Sequence, residues 1–452
     1  MALGIGYGLP FVAQHGTNPY KTQWAAALEG AKGAGASVED ENAGTGSCLV
    51  SRGQDVYTDG LPFTPSMLIV PQFYKDGNLY QDVPPFVAED STMRFTVSRN
   101  TTATRVNSSG LIESVASGVP RIDWFGQSCP ALLVEASGQN QALWSRDLSV
   151  SGTWAASGIT AVRNAVGADG AASGATTLTA TAASATITQD ISHASQSRIF
   201  SAYMRRVSGT GQIQLTTNGG TNWQTVTLTT AFAPFNSGAQ TVASGQVGIR
   251  MIASGDVIEV DFTQAEVGPV PTSPIPTTSG TGSRAAEVIS ASGALVSGLI
   301  GQTEGTIYAE VDVRNFASTT SRAVFYISDG SLQNYIRLEY QFLSPRYVLV
   351  VSLVQTGVKI YEKIATTGTN VVNGTIKIAF GYSSGNNEVF QNGAILSGNV
   401  TGLGTYASLT GLSKLNLGSS GTDINQFNDR IRAAALYTTR LSNDQLAELT
   451  RL

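Results

Sequence analysis

Charge is the scarcest property of this 452-residue chain, with only 13% of residues Asp, Glu, Lys or Arg. That is about half the roughly 25% of an ordinary globular protein. Ser, Thr, Ala, Asn and 49 glycines fill the gap rather than extra apolar residues. Such a composition suits many short strands joined by tight turns. A net charge of −5 and the lack of any Lys/Arg cluster argue against nucleic-acid and anionic-membrane partners, which need a basic patch. No run of about 18 apolar residues occurs, so no membrane insertion is expected. Histidine is reduced to His15 and His193, one in an expected arm and one in an expected loop, a poor pair for acid–base work or metal binding. Cys48 and Cys129 have no CxxC or metal spacing, which leaves two readings open, buried thiols or a Cys48–Cys129 disulfide. GxSxG, HExxH, Walker and dinucleotide fingerprints are missing. Gly4, Gly6 and Gly8 imitate part of the last but neither follow a strand nor precede a helix. The short repeats of a β-helix are missing too. The expectation is a non-enzyme with no catalytic residues, no metal and no cofactor.

What the chain does contain is period-two alternation punctuated by turns. The expected fold class is all-β, with two tandem β-sandwich (jelly-roll) domains after an irregular N-terminal arm. Residues 1–92 are glycine- and proline-punctuated, with one short helix expected near Lys21–Ala31, and read as an anchoring arm. Residues 93–139 form a β-rich linking module. It contains Met93-Arg94-Phe95-Thr96-Val97-Ser98-Arg99, an Asn107-Ser108-Ser109-Gly110 turn, Val119-Pro120-Arg121-Ile122-Asp123-Trp124 and Leu132-Leu133-Val134-Glu135. Residues 140–268 alternate Thr, Ala, Val and Ile in strands such as Ala175–Thr181, Gln212–Thr216 and Val257–Phe262, with a Gly-Gly turn at 219–220. Residues 269–283 are a Pro/Gly/Thr-rich linker whose Pro269–Pro276 stretch is stiff and cannot pair in a sheet. Residues 284–452 form a second β-rich unit, with the hairpin signal Asn392-Gly393 and a capping box at Ser442 and Gln445 opening a terminal helix.

Within these patterns the candidates for chemistry are few. The carboxylates Glu259 with Asp261, and Glu310 with Asp312, lie two apart on one strand face, which suits glycosidase work only across a groove and otherwise reads as solvated strand. Asp329, Asn334, Asn386 and Asn387 are polar loop residues considered for calcium or sugar, without metal-ligand spacing. Aromatic side chains are the stronger candidates, because a sugar stacks its C–H face on an exposed ring. Trp154 and Trp223 are each either such a platform or core.

The phrase from Met93 to Ser145 resembles a module of tailed-bacteriophage structural proteins. Residues 140–268 resemble a carbohydrate-binding-module jelly roll in the placing of Trp154, Ala168-Asp169-Gly170, Tyr203-Met204 and Gln264-Ala265-Glu266. From 284 onward the order of Gly305-Thr306, Val389-Phe390-Gln391-Asn392-Gly393, Leu415-Asn416-Leu417-Gly418-Ser419 and Tyr437–Ser442 is similar to a laminin-G-like, concanavalin-type domain. The resemblance implies a virion protein, a tail fibre or tail-associated adhesin that binds host surface carbohydrate at Trp154, Trp223 and Tyr203. The alternative is a head-decoration or collar protein with a purely structural role. It also implies other virion proteins as partners of the arm, a host glycan as a further partner, and a homo-oligomer, in phage fibres a trimer. The first ten residues lack the features of a signal peptide, so assembly is expected in the host cytoplasm.

Overall fold

A computed structural model describes residues 65–69, 74–75, 78–80, 94–125, 130–191, 194–243, 245–313, 321–343, 346–366, 374–402, 404–409, 411–420 and 425–451. The expected helix at 21–31, both cysteines and both histidines lie outside the described residues.

The protein is all-β, built as two sandwiches. In the first, a five-stranded sheet runs in the order Ala155–Ser157, Ala185–Ile191, Gly245–Met251, Ile213–Thr216, Gln224–Val226. It packs on a six-stranded sheet of Ile159–Ala165, Ala175–Ala180, Val257–Val267, Gln196–Ser208 and Ala233–Asn236, with Gln240–Val242 also pairing to Gln196–Ser208. Strict alternation decides the faces. In Ala185–Ile191 the residues Ala185, Ile187, Gln189 and Ile191 are buried while Thr186, Thr188 and Asp190 are not. Inward side chains of both sheets, including Leu178, Ile187, Phe200, Met204, Leu215 and Ile249, share one core, as face-to-face packing requires.

The second sandwich packs an eight-stranded sheet, centred on Glu304–Val313 between Gly374–Ser383 and Asp429–Tyr437, against a ten-stranded sheet. In the ten-stranded sheet Lys414–Leu417, Arg322–Ser328, Tyr335–Leu343, Arg346–Gln355 and Val358–Ala365 lie side by side. Asn392 and Gly393 both have positive φ, 50° and 82°, and turn Glu388–Gln391 onto Ala394–Ile395. The terminal helix Asn443–Leu449 has its capping box, with Ser442 N–H donating to Gln445 Oε1 at 2.8 Å and Gln445 N–H to Ser442 Oγ at 3.3 Å.

The connectivity is nested. Residues 93–139, expected as a separate linking module, give strands to the second sandwich: Arg94–Ser98 pairs with Val288–Ser292, and Ala131–Val134 pairs with Asp429–Tyr437. From the expected arm, Met67–Ile69 also pairs with Asp429–Tyr437 and is buried. Gly138–Asn140 then pairs with Gly282–Arg284, so the first sandwich leaves and re-enters through one neck. The proline-rich stretch at 269–283 is fastened there rather than loose. Ser273 N–H donates to Glu135 Oε1 at 2.8 Å, Ile275 N–H to Gln264 Oε1 at 2.7 Å, and Asn140 Nδ2 to Ile275 O at 2.8 Å.

An ion cluster fills the neck. Arg121, fully buried, donates through Nε to Glu287 Oε1 and through Nη1 to Glu135 Oε2, both at 2.7 Å. Arg99 Nη1 reaches Glu287 Oε1 at 2.6 Å, and Arg284 Nη1 lies 3.2 Å from Glu135 Oε2. Burial alone would raise the Glu135 carboxyl, but Arg284 and Arg121 override it and hold it well below the usual carboxylate range.

Removing one partner of a buried pair leaves an uncompensated charge. Arg121→Ala is therefore expected to destabilise the fold by about 3–5 kcal/mol, read from the shift of the denaturant midpoint. A loss under about 1 kcal/mol would remove the cluster from this role. A carboxyl depressed on folding contributes stability that is complete above its unfolded value, about 4.3, and is lost as pH falls below it. Glu266 opposes this, because burial raises its carboxyl and its protonation favours the folded state. Unfolding free energy is expected to decline below about pH 4.3, and Glu135→Gln should flatten the decline. An unchanged slope in that variant would exonerate Glu135.

Candidate functional site

The outer face of the five-stranded sheet is where polar groups and an aromatic ring converge. Alternation turns Thr186, Thr188 and Asp190 outward from one strand and Gln246, Gly248 and Arg250 from the next. Register then sets three rows, Thr186–Arg250–Gln214–Thr225, Thr188–Gly248–Thr216 and Asp190–Gln246. In the first row Arg250 Nε donates to Gln214 Oε1 at 2.7 Å, and Gln214 Nε2 to Thr225 Oγ1 at 3.0 Å. In the last, Gln246 Nε2 donates to Asp190 Oδ1 at 2.7 Å.

Trp223 stands over this face. Gly219 and Gly220, both at positive φ, form the expected turn that returns the chain from Ile213–Thr216 to Gln224–Val226. Asn218 Oδ1 ties the loop by accepting Asn222 N–H at 2.9 Å. A side chain at Gly220 would meet the indole at 3.0 Å, so glycine lets the turn lie against the ring. The Arg250 guanidinium carbon lies 4.4 Å from the Trp223 ring centroid, a cation–π contact. At Gly248 a Cβ would collide with the Ile187 carbonyl oxygen and Thr188, so the middle row has a bare floor.

A trough of about 520 Å³ opens beside Gln246, lined by Gln141, Leu143, Thr188, Gln189 and Asp190 among others. A second depression, of about 390 Å³, lies on the other side of Gln246 against Asn218 and Gly219. The face therefore offers amide, hydroxyl, carboxylate and guanidinium groups with one aromatic ring, a set that hydrogen-bonds a hydroxyl-rich ligand.

The three aromatic residues expected to bind sugar do not come together. Trp154 is corrected to a core residue, 1% exposed, with its indole N–H donating to Leu143 O at 3.1 Å. Tyr203 lies on the six-stranded sheet, half-buried and edge-on to Phe262 with centroids 6.3 Å apart. Together with Ile112, Ala168 and Phe232 these two rings form the small cluster joining the first sandwich to the hairpin Ala103–Val115. Burial raises the Tyr203 hydroxyl, and Asp123 adds to the effect. Tyr203 is thus corrected to an inter-sandwich contact. Trp223 alone stands on the candidate face, half-buried. Sequence reasoning missed Arg250, Gln214, Gln246, Asp190 and Thr188. The signal available for them was the alternation in their strands, once these are known to be neighbours.

The carboxylate pairs are engaged by other side chains. Asp261 is bound by Arg146 Nε at 2.8 Å, Glu259 by Arg205 Nε at 2.5 Å, and Asp312 by Arg432. Glu310 accepts from the Tyr308 hydroxyl at 3.4 Å. Asp329 accepts from Ser331 N–H at 2.8 Å and from Asn334 Nδ2 at 2.6 Å. Asn386 belongs to the turn after Gly374–Ser383, its N–H donating to Ser383 O at 2.9 Å. Among the described residues no group of three or more His, Cys, Asp or Glu is placed to hold a metal ion.

No family model matches the sequence, and no curated protein does. Several solved structures are similar to parts of it. The Ruminococcus gnavus IT-sialidase CBM40, bound to alpha2,3 sialyllactose, is 17% identical with a TM-score of 0.29, over 35% of this chain and 88% of its own. Domain 4 of AbnA, a GH43 extracellular arabinanase from Geobacillus stearothermophilus in complex with arabinotriose, is 17% identical with a TM-score of 0.28, over 37% and 73%. Domains LG4-5 of the mouse laminin alpha1 chain are 9% identical with a TM-score of 0.24, over 69% and 91%.

The different surroundings of the two tryptophans can be measured. Trp154→Ala is expected to cost about 3–5 kcal/mol of stability, and Trp223→Ala less than about 1 kcal/mol, both from denaturant unfolding. Equal losses would contradict the placement of Trp223 on the surface.

Proposed function

We propose that the protein is a non-enzymatic carbohydrate-binding component of a tailed-bacteriophage particle, a tail fibre or tail-associated adhesin that engages host surface glycan through the outer face of the five-stranded sheet. The observation that carries the binding part is the Trp223 ring held against Arg250, on a face of amides and hydroxyls that runs into the trough beside Gln246. An aromatic ring takes the C–H face of a sugar while fixed amides take its hydroxyls, and rigid strands hold both at little entropic cost. The virion part rests on the resemblance of the phrase from Met93 to Ser145, and with it come assembly in the host cytoplasm, self-association and an arm that docks on other particle proteins. The carboxylates considered for glycan cleavage have partners of their own, which supports binding without turnover.

The test is titration of the full chain against a panel of bacterial surface polysaccharides. Saturable binding is expected, weakened at least about tenfold by Trp223→Ala and unchanged by Asn399→Ala, an exposed position on the second sandwich. If no polysaccharide binds while the chain still locates to particles by antibody labelling, a head-decoration or collar role replaces the adhesin.

A further inference from the structure

We infer that the ligand of this face carries a carboxylate, an acidic sugar seated on Arg250, an inference that rests on the carbohydrate reading above. The starting point is the pairing of the arginines. Arg99, Arg121, Arg146, Arg205, Arg206 and Arg430 each have a carboxylate oxygen within salt-bridge distance. Arg250, like Arg198 and Arg440, has none among the described residues, but those two bind protein acceptors through both terminal nitrogens, whereas Arg250, half-buried on a rigid strand, bonds only through Nε. Half-burying a cation without a counter-ion costs free energy, and a ligand anion would recover it.

The side chain is also held ready. Gln214 Oε1 fixes Nε at 2.7 Å, Thr225 fixes Gln214 in turn, and the Trp223 ring supports the guanidinium plane at 4.4 Å. Both terminal nitrogens are left without a protein partner among the described residues. Those two parallel N–H groups match the two oxygens of a carboxylate, a geometry that a neutral sugar cannot use fully. The whole-chain field cannot produce a preference for acidic ligands, because the net charge is −5 and such a field repels anions. Any preference must therefore be local.

The face also has a direction. Asp190 and Gln246 lie four residues along the strand from Arg250, about 13 Å at the usual rise of an extended chain. Asp190 repels an anion and accepts hydroxyl protons, and Gln246 adds an amide oxygen. An acidic oligosaccharide consequently places its carboxylate at Arg250 and its neutral hydroxyls in the trough beside Gln246.

The experiment is calorimetric titration of the full chain with two matched pairs: tetragalacturonate against the same oligosaccharide with its carboxyls reduced, and sialyllactose against lactose. At least one acidic member is expected to bind about tenfold more tightly than its neutral partner, with the preference shrinking as salt is raised. Arg250→Gln is expected to collapse that preference, and Arg250→Lys to restore part of it, thermal unfolding verifying that both are folded. Equal binding of acidic and neutral members by the unaltered chain overturns the acidic ligand and leaves carbohydrate binding standing. A preference that survives Arg250→Gln overturns the assignment to Arg250. Binding of none of the four overturns the inference, and if the polysaccharide panel is silent as well the carbohydrate reading falls with it.

Discussion

The buried ion cluster at the neck is the constraint on which the architecture depends. Arg99, Arg121 and Glu135 precede the first sandwich, and Arg284 and Glu287 follow it, so the bonds span up to 188 residues of sequence. Apolar side chains of equal volume could give a neck of similar stability, since desolvating charges is expensive. They would not give direction. Arg121 meets Glu287 through two nitrogens and Glu135 through a third contact, and Ser273 enters through its own N–H and hydroxyl. A slip of one residue in either pair of neck strands would strand a charge in a dry interior. The cluster therefore fixes how the two ends of the insertion meet, and the pairing of Gly138–Asn140 with Gly282–Arg284 follows from it.

Around that neck the two sheets of the first sandwich have different duties. The six-stranded sheet faces the rest of the molecule: Ile112 N–H donates to Ala168 O at 3.0 Å, and Tyr203 and Phe262 pack beside it. Phe262 has positive φ, and the pairing of its strand with Gln196–Ser208 shifts register there, a bulge that re-aims neighbouring side chains. Asp261 bonds Arg146 from one side while the Phe262 ring lies 4.3 Å beneath its guanidinium. This sheet is spent on attachment. The five-stranded sheet, on the far side of the core, keeps its outer face for solvent.

The local part of this structure was legible in the sequence. The strands expected at Ala175–Thr181 and Gln212–Thr216, the Asn392-Gly393 turn, the Ser442–Gln445 box and the Gly219-Gly220 return each depend on residues within a few positions of one another, and each is present in the fold. The nested connectivity was not legible, because a strand such as Ala131–Val134 shows its own pattern but not its partner nearly 300 residues later. The same limit hid the meaning of the charged residues in the phrase from Met93. Arg99, Arg121 and Glu135 were visible as conspicuous letters in a charge-poor chain, yet their counter-ions lie beyond the insertion. Among the aromatic residues, composition could nominate Trp154, Trp223 and Tyr203 but not separate them, since core, inter-sandwich seam and open face all accept a large ring. Only the register between strands does that.

Arg250 is the extreme case of this limit, because what distinguishes it is a pair of terminal nitrogens without a protein partner among the described residues, and no pattern within Gly245–Met251 can display a lack. In a protein with so few charges, most arginines with defined side chains are consumed in holding segments together: Arg121 and Arg284 at the neck, Arg146 at the bulge, Arg430 on Asp123. Such residues are already neutralised and offer little to a partner. The surface they leave is mostly hydroxyl and amide, groups that hydrogen-bond water and any hydroxyl-rich partner alike and so discriminate weakly. One half-buried guanidinium, oriented by Gln214 and Trp223, changes that balance more than many additional hydroxyls could, because a charge-assisted bond is roughly twice as strong as a neutral one. Low overall charge thus makes an open cation the most selective group on this face among the described residues.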